Sequence, residues 1–225
     1  MKIQAISDTH LRHHKIEVQP CDVFVHAGDF TEWGKVGEVT EFFEWFASID
    51  ALHKVITPGN HDVWCESDNG DEWCRKFCKD NNIHYLINEG VTIDGVKFWG
   101  SPITPYINDQ FAWGKHREVA EAELFKHMHP NDGHEWIGKY WEMIGDCDVL
   151  ITHGPPYKIL DKGYHSGLNY GCEWLKKRVR ELEPKLHIFG HVHAGRGKLK
   201  KFGTTYLNVA QIVETDQTET TLFEL

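Results

Sequence analysis

Five short apolar runs in this chain each lead into a carboxylate, an amide or an imidazole. Lys2-Ile3-Gln4-Ala5-Ile6 leads to Asp8 and His10, and Val23-Phe24-Val25-His26 leads to Asp29. Lys54-Val55-Ile56-Thr57 leads to Asn60 and His61, Val149-Leu150-Ile151-Thr152 to His153, and Leu186-His187-Ile188-Phe189 to His191 and His193. Runs this short, rich in Val, Ile and Phe, have the character of buried strands. If neighbouring strands point the same way, their polar ends collect along one sheet edge. Taken alone, Gly59-Asn60-His61-Asp62 reads as readily as a turn or helix cap as it does as a site. The other four runs decide between those readings and a site.

Between the strands the period changes to that of helices. Val36, Val39, Phe43 and Phe46 share a face of a helix expected over 35–48, and Trp73, Phe77, Cys74 and Cys78 point inward from one expected over 70–82. A third helix, over 171–182, buries Cys172, Leu175, Val179 and Leu182 and stops before Pro184. A strand at 84–87 is followed by a hairpin of 91–93 and 96–99, because Asp94-Gly95 supplies the positive φ angles of a two-residue turn. The stretch 105–145 reads as two helices whose aromatics pack, and strands at 197–202, 205–209 and 220–224 finish the chain. No repeat or linker divides residues 1–225, so the expectation is one α/β domain with a layered, mostly two-sheet core.

Composition removes several functions. A net charge of -10 argues against general nucleic-acid binding, which needs clustered Lys and Arg. No apolar run approaches the roughly 20 residues of a membrane helix, and six cysteines without a signal segment read as reduced thiols, so a cytoplasmic protein without a membrane partner is expected. The absence of a C-x-x-C pair argues against a zinc site on Cys65, Cys74 and Cys78. Of sixteen histidines, His13, His14, His127, His129 and His134 read as solvated, and His26 and His187, inside strands, as core or supporting residues.

The strand-end residues form a mixed oxygen and nitrogen donor set. Asp8, His10, Asp29, Asn60, His153, His191 and His193 suit manganese first, with iron, zinc, cobalt or nickel as alternatives. Burying so many of them without a cation would cost too much. The set is too large for one ion, and a central carboxylate can bridge two ions about 3.5–4 Å apart.

Asp8-x-His10, Gly28-Asp29, Gly59-Asn60-His61-Asp62, His153 in Thr-His-Gly-Pro-Pro, and Gly190-His191-x-His193 together resemble the calcineurin-like metallophosphoesterases, with all five blocks in family order. The words around them are similar to the fetal-brain metallophosphoesterase-domain branch. The resemblance implies a four-layer α/β/β/α sandwich and two divalent ions. One ion would take Asp8, His10 and His193, the other Asn60, His153 and His191, with Asp29 bridging. His61 would protonate the leaving oxygen or stabilise the transition state, and Asp62 would orient His61. The implied activity is hydrolysis of a small, nucleotide-like phosphodiester, cyclic or linear, by in-line attack of a bridging hydroxide. A phosphomonoesterase or phosphoprotein phosphatase, and a non-catalytic scaffold on the same fold, are the alternatives. Arg12 and Arg196 are candidate phosphate contacts. Trp33, Trp64, Tyr164, His165 and Asn169 are candidate pocket walls.

Overall fold

A computed structural model of the chain describes residues 1–108, 110–128, 134–164, 166–211 and 220–225. The first half runs β1 (Lys2–Ile6), β2 (Val23–His26), α1 (Val36–Ser48), β3 (His53–Ile56), α2 (Asp68–Asp80), β4 (Ile83–Tyr85), β5 (Glu89–Ile93) and β6 (Val96–Ser101). The second half runs β7 (Thr104–Pro105), β8 (Gly114–Lys115), α3 (Val119–Met128), α4 (Gly138–Glu142), β9 (Val149–Thr152), α5 (Glu173–Leu182), β10 (Leu186–Phe189), β11 (Gly197–Lys201), β12 (Thr204–Asn208) and β13 (Thr221–Glu224). One sheet has the order β13-β1-β2-β3-β4 and the other β11-β12-β10-β9-β6-β5. Inside each sheet the four strands β1 to β4, and β12, β10, β9 and β6, are parallel, whereas β13, β11 and β5 are antiparallel edges.

Alternation along the strands sorts side chains into layers, because successive residues of a strand face opposite sides. Ile3, Val23, Val25 and Val55 of the first sheet share a core cluster with Val149, Ile151, Leu186, Ile188 and Leu207 of the second. The alternate residues Ile6, Phe24 and Ile56 belong instead with Phe42, Phe43 and Phe46 of α1, and Leu150, Phe189 and Tyr206 with Trp141, Leu175 and Val179. The result is the α/β/β/α sandwich, with the inner strands β2, β9, β10 and β12 buried on both faces. Gly190 N–H donates to the His153 carbonyl at 2.9 Å, and Ser7 N–H to the Val209 carbonyl at 3.2 Å, so strand ends from both sheets meet at one rim.

Local chemistry sets the element ends. The Ser67 hydroxyl accepts from Gly70 N–H and starts α2 two residues ahead of the expected position. Glu183, left-handed at φ 48°, ends α5 before Pro184. Asp94 and Gly95 have φ of 47° and 81°, as the hairpin turn requires. Val36 lies in the first turn of α1 and is exposed, so the buried face is Val39, Phe42, Phe43 and Phe46. His13 and His134, read as solvated, are both buried: His13 packs on Phe42 and Trp45, and His134 Nδ1 lies 2.9 Å from His116 Nε2. His129 and His165 lie outside the described residues. None of the described helices is long and apolar enough to cross a membrane.

Ile188 sits between the sheets with no exposed surface. Ile188→Ala should therefore lower unfolding free energy by about 2–5 kcal/mol in urea titration, whereas Leu52→Ala, at a residue 74% exposed, should change it by less than about 0.5 kcal/mol.

Candidate metal centre

The loops leaving β1, β2, β3, β9 and β10 are stitched to one another by main-chain contacts. Asp8 N–H donates to the Gly28 carbonyl at 2.8 Å and His10 N–H to the Asp29 carbonyl at 3.1 Å. His61 N–H donates to Asp29 Oδ1 at 2.8 Å, and His191 N–H reaches both oxygens of Asp8 at 3.1 and 3.0 Å. Asp8, Asp29 and His191 adopt left-handed backbone, with φ of 56°, 56° and 67°. Asp and His tolerate that region better than most residues, and such strain concentrates at functional sites. Two glycines permit the close approach. A Cβ on Gly59 would strike Asp29 Oδ1, and one on Gly190 would strike Asp8 Oδ2.

Three overlapping groups of donor atoms result, each with all its atoms within 4.8 Å of one another: Asp8, His10 and His193; Asp29, His153 and His191; and His10, Asp29 and His61. Asn60 Oδ1 lies 3.0 Å from His153 Nε2 and so joins the second group. Main-chain carbonyls fix the rings. The Nδ1–H of His10 donates to Thr31 at 3.0 Å, that of His153 to Ala27 at 2.9 Å and that of His61 to Glu32 at 2.8 Å. A carbonyl can only accept, so Nδ1 carries the proton and Nε2 is left as the ligand or proton-handling atom in each ring.

The charge distribution fits a cation here. Both ring nitrogens of His153 face acceptors only, since Nε2 also lies 3.2 Å from Asp29 Oδ2. Burial opposes a charge on His153, but the Asp29 charge and hydrogen bond more than offset it and raise its pKa to about 9. Burial likewise opposes ionisation of Asp29, and the His153 charge and hydrogen bond hold it below the usual carboxylate range. Asp8 and His193 repeat the arrangement at 3.2 Å, with Asp8 lowered and His193 raised against the effect of burial. Burial and the neighbouring His153 charge lower His191 to about 4, leaving it neutral as a metal ligand must be. The two close pairs, His153 with Asp29 and His193 with Asp8, set imidazole nitrogens against buried carboxylate oxygens, and a divalent cation would satisfy both donor types.

Asp62 does something other than orient the His61 ring. Its Oδ2 accepts from Asp29 N–H at 2.9 Å and Gly59 N–H at 2.8 Å, and its Oδ1 from Thr31 N–H at 2.9 Å and Thr31 Oγ1–H at 2.8 Å. It therefore locks the β2 loop to the β3 loop, while the Glu32 carbonyl holds His61. Burial and the Asp29 charge push its carboxyl up to about 7, and those accepted bonds pull the other way. His26 and His187 support from below, with Nε2 atoms 3.1 Å from Thr9 Oγ1 and 2.8 Å from Thr152 Oγ1, and burial lowers both to about 3.

Several neighbours lie elsewhere than expected, or were not expected. Arg196 donates through Nη1 to the Val209 and Ala210 carbonyls at 3.0 and 2.8 Å, which makes it a main-chain clamp. Arg12 N–H closes a turn onto Thr9 at 2.8 Å, and its side chain is half-buried. Trp33 is exposed, and Trp64 packs on Trp73 with ring centroids 5.6 Å apart. Phe111, absent from the sequence reading, lies with its centroid 4.9 Å from that of His61, and Ala112 N–H donates to the Asn60 carbonyl at 2.9 Å. No sequence signal near Phe111 marks it, because it reaches the site only through the fold.

The chain matches the family model of the calcineurin-like phosphoesterases over residues 1–195, and it belongs to that family. It is 33% identical over 231 residues to UPF0046 protein K07C11.7 of Caenorhabditis elegans, spanning 98% of this chain and 73% of that protein. It is 32% identical over 226 residues to human Metallophosphoesterase domain-containing protein 1, spanning 91% of this chain and 64% of that protein. Among solved structures, phosphopantetheinyl hydrolase of Mycobacterium tuberculosis superposes with a TM-score of 0.60 at 14% identity, covering 93% of this chain and 88% of that one. TT1561 of Thermus thermophilus gives 0.58 at 12% identity, covering 98% and 97%. At those identities the likeness is one of fold.

Two outcomes follow from this geometry. A proton on His153 competes with a cation, so Mn affinity should rise with pH by up to about tenfold per unit and level off near pH 9, with proton release visible by calorimetry in buffers of different ionisation enthalpy. Above about pH 7, where Asp62 is ionised and only accepts, Asp62→Asn must turn N–H toward donors and should cost about 2–3 kcal/mol in urea unfolding.

Proposed function

We propose that this chain, as a single domain over residues 1–225, is a dinuclear-metal-dependent phosphodiesterase acting on a small, nucleotide-like phosphodiester. Family membership supports the coarser statement, a metal-dependent phosphoesterase. The observation that carries the proposal is the gathering of Asp8, His10, Asp29, Asn60, His153, His191 and His193 at one rim. Asp8, His10 and His193 would hold one ion, Asn60, His153 and His191 the other, and Asp29 both. Manganese is the first choice for such oxygen and nitrogen donors. Two divalent ions supply Lewis acidity that activates a water and neutralises phosphoryl charge.

The chain's own residues do the rest. His61 keeps Nδ1–H on the Glu32 carbonyl, so Nε2 is the atom that carries a proton for the leaving oxygen. Phe111 packs against the same ring. Asp62 keeps Asp29 and the Gly59 loop in register, so that the Asp29 carboxylate that would bridge the ions does not drift. Six free cysteines, five of them buried, support a reducing compartment such as the cytoplasm.

The test is turnover of bis(4-nitrophenyl) phosphate and 4-nitrophenyl phosphate by Mn-loaded protein. Metal-dependent hydrolysis of the diester above the monoester is expected. Faster monoester turnover would move the protein to the phosphomonoesterases, and no turnover above an Asp29→Asn background would reject the phosphoesterase reading. The roles within one loop separate further. His61→Ala should keep both ions by elemental analysis and lose about 10²–10⁴ in kcat, whereas Asn60→Ala should lose affinity for one ion. An emptied metal site in His61→Ala would make that residue a ligand.

A further inference from the structure

Beside the candidate centre lies a cavity of about 460 Å³ whose floor includes His191 and His193. Its walls are Tyr106, Ile107, Tyr164 and Tyr170, supplied by the segment before α3 and the loop before α5. Three large side chains of its lining are well exposed: Ile107, Tyr164 and Tyr170 are 47%, 52% and 46% exposed. Partly exposed aromatic and aliphatic side chains that line a cavity beside a polar centre mark a place where a ligand can bury them.

The two tyrosine walls are braced from behind. The Tyr106 ring lies on His116, with centroids 4.6 Å apart and planes 33° apart, and His116 packs in turn on Phe125 at 4.7 Å. The Tyr170 ring lies against Gly163, where a Cβ would meet it, and its hydroxyl is 3.0 Å from Ser166 Oγ. Arg117 joins the walls. It donates to the Tyr170 and Gly171 carbonyls and to Glu173 Oε2, each at 2.9 Å, while its own carbonyl accepts from Trp174 Nε1 at 3.0 Å. Arg117 thereby ties its charge to the Glu173 carboxylate, and three tyrosines, Tyr106, Tyr164 and Tyr170, line the cavity.

We propose that this cavity is a specificity pocket for a planar aromatic group esterified to the phosphate, selected by Tyr106 and Tyr170, with Arg117 as the positioning residue that holds the two walls together. The proposal rests on the phosphodiesterase reading for the phosphate itself. Braced tyrosine faces favour a flat π-system over a saturated ring of the same size, because stacking adds to simple burial. A flexible chain would fill the volume without using the faces.

The experiment measures inhibition of diester turnover by methyl-, cyclohexyl- and phenylphosphonate, which share the phosphonate and resist hydrolysis. Phenylphosphonate should have a Ki roughly tenfold below cyclohexylphosphonate, the scale of one stacked ring, and further below methylphosphonate. Tyr170→Ala and Tyr106→Ala should each bring the phenyl-to-cyclohexyl ratio close to one, and Tyr170→Phe should restore it, which excludes misfolding as the cause. Arg117→Ala should narrow the same ratio, and Arg117→Lys should recover it only in part. Equal Ki values for phenyl and cyclohexyl in the wild type would overturn the proposal, as would a ratio unmoved by both tyrosine variants. If the protein turns over no phosphoester, the same three constants are taken by calorimetry on the Mn-loaded chain. Preferred phenylphosphonate binding then upholds the pocket although the enzymatic reading has failed, and equal binding rejects the pocket by itself.

Discussion

The buried pair of Asp29 and His153 is the constraint on which the site turns. A carboxylate with almost no exposed surface is expensive unless something positive shares its space, and here an imidazole lies 3.2 Å away, where a proton or a cation between the two groups supplies that charge. The two residues come from different sheets, at the ends of β2 and β9, so their attraction acts across the sandwich. The same chemistry is repeated by Asp8 and His193. Divalent ions between such groups would replace shared protons with a stronger and more directional neutralisation, and would let His153 give up its proton.

Parallel strands bring these groups to one place. Each short apolar strand ends at the same rim, and the polar residues follow within one to five positions. Main-chain hydrogen bonds between loops then do what side chains alone cannot, fixing loop against loop at about 3 Å. Asp62 is the clearest case: a buried carboxylate with four donors around it, holding two loops together beneath the reactive edge. Glycine at 59 and 190 leaves room for those approaches.

The stretch from Tyr106 to Arg117 shows why a site has a second layer that a motif does not reveal. Ala112 binds the Asn60 carbonyl, Phe111 meets His61, and Arg117 reaches across to the loop before α5. None of these residues belongs to a recurring pattern. Their positions follow from the short β7–β8 pair, which folds the segment back over the rim.

Sequence alone determined the strand-then-donor grammar, the α/β class, the hairpin at Asp94-Gly95 and the inventory of Asp, Asn and His side chains, because each is a local property of period, turn chemistry or residue type. It also carried the family resemblance in its five blocks. Tertiary structure decided which donors stand together, since that depends on strand order and on the stacking of two sheets. It gave Asp62 to the loops and the Glu32 carbonyl to His61, and it committed Arg196 to the carbonyls of Val209 and Ala210. Hydrogen-bond partners are set by distance in space, and neither the number of a residue nor its neighbours in the chain encodes that distance.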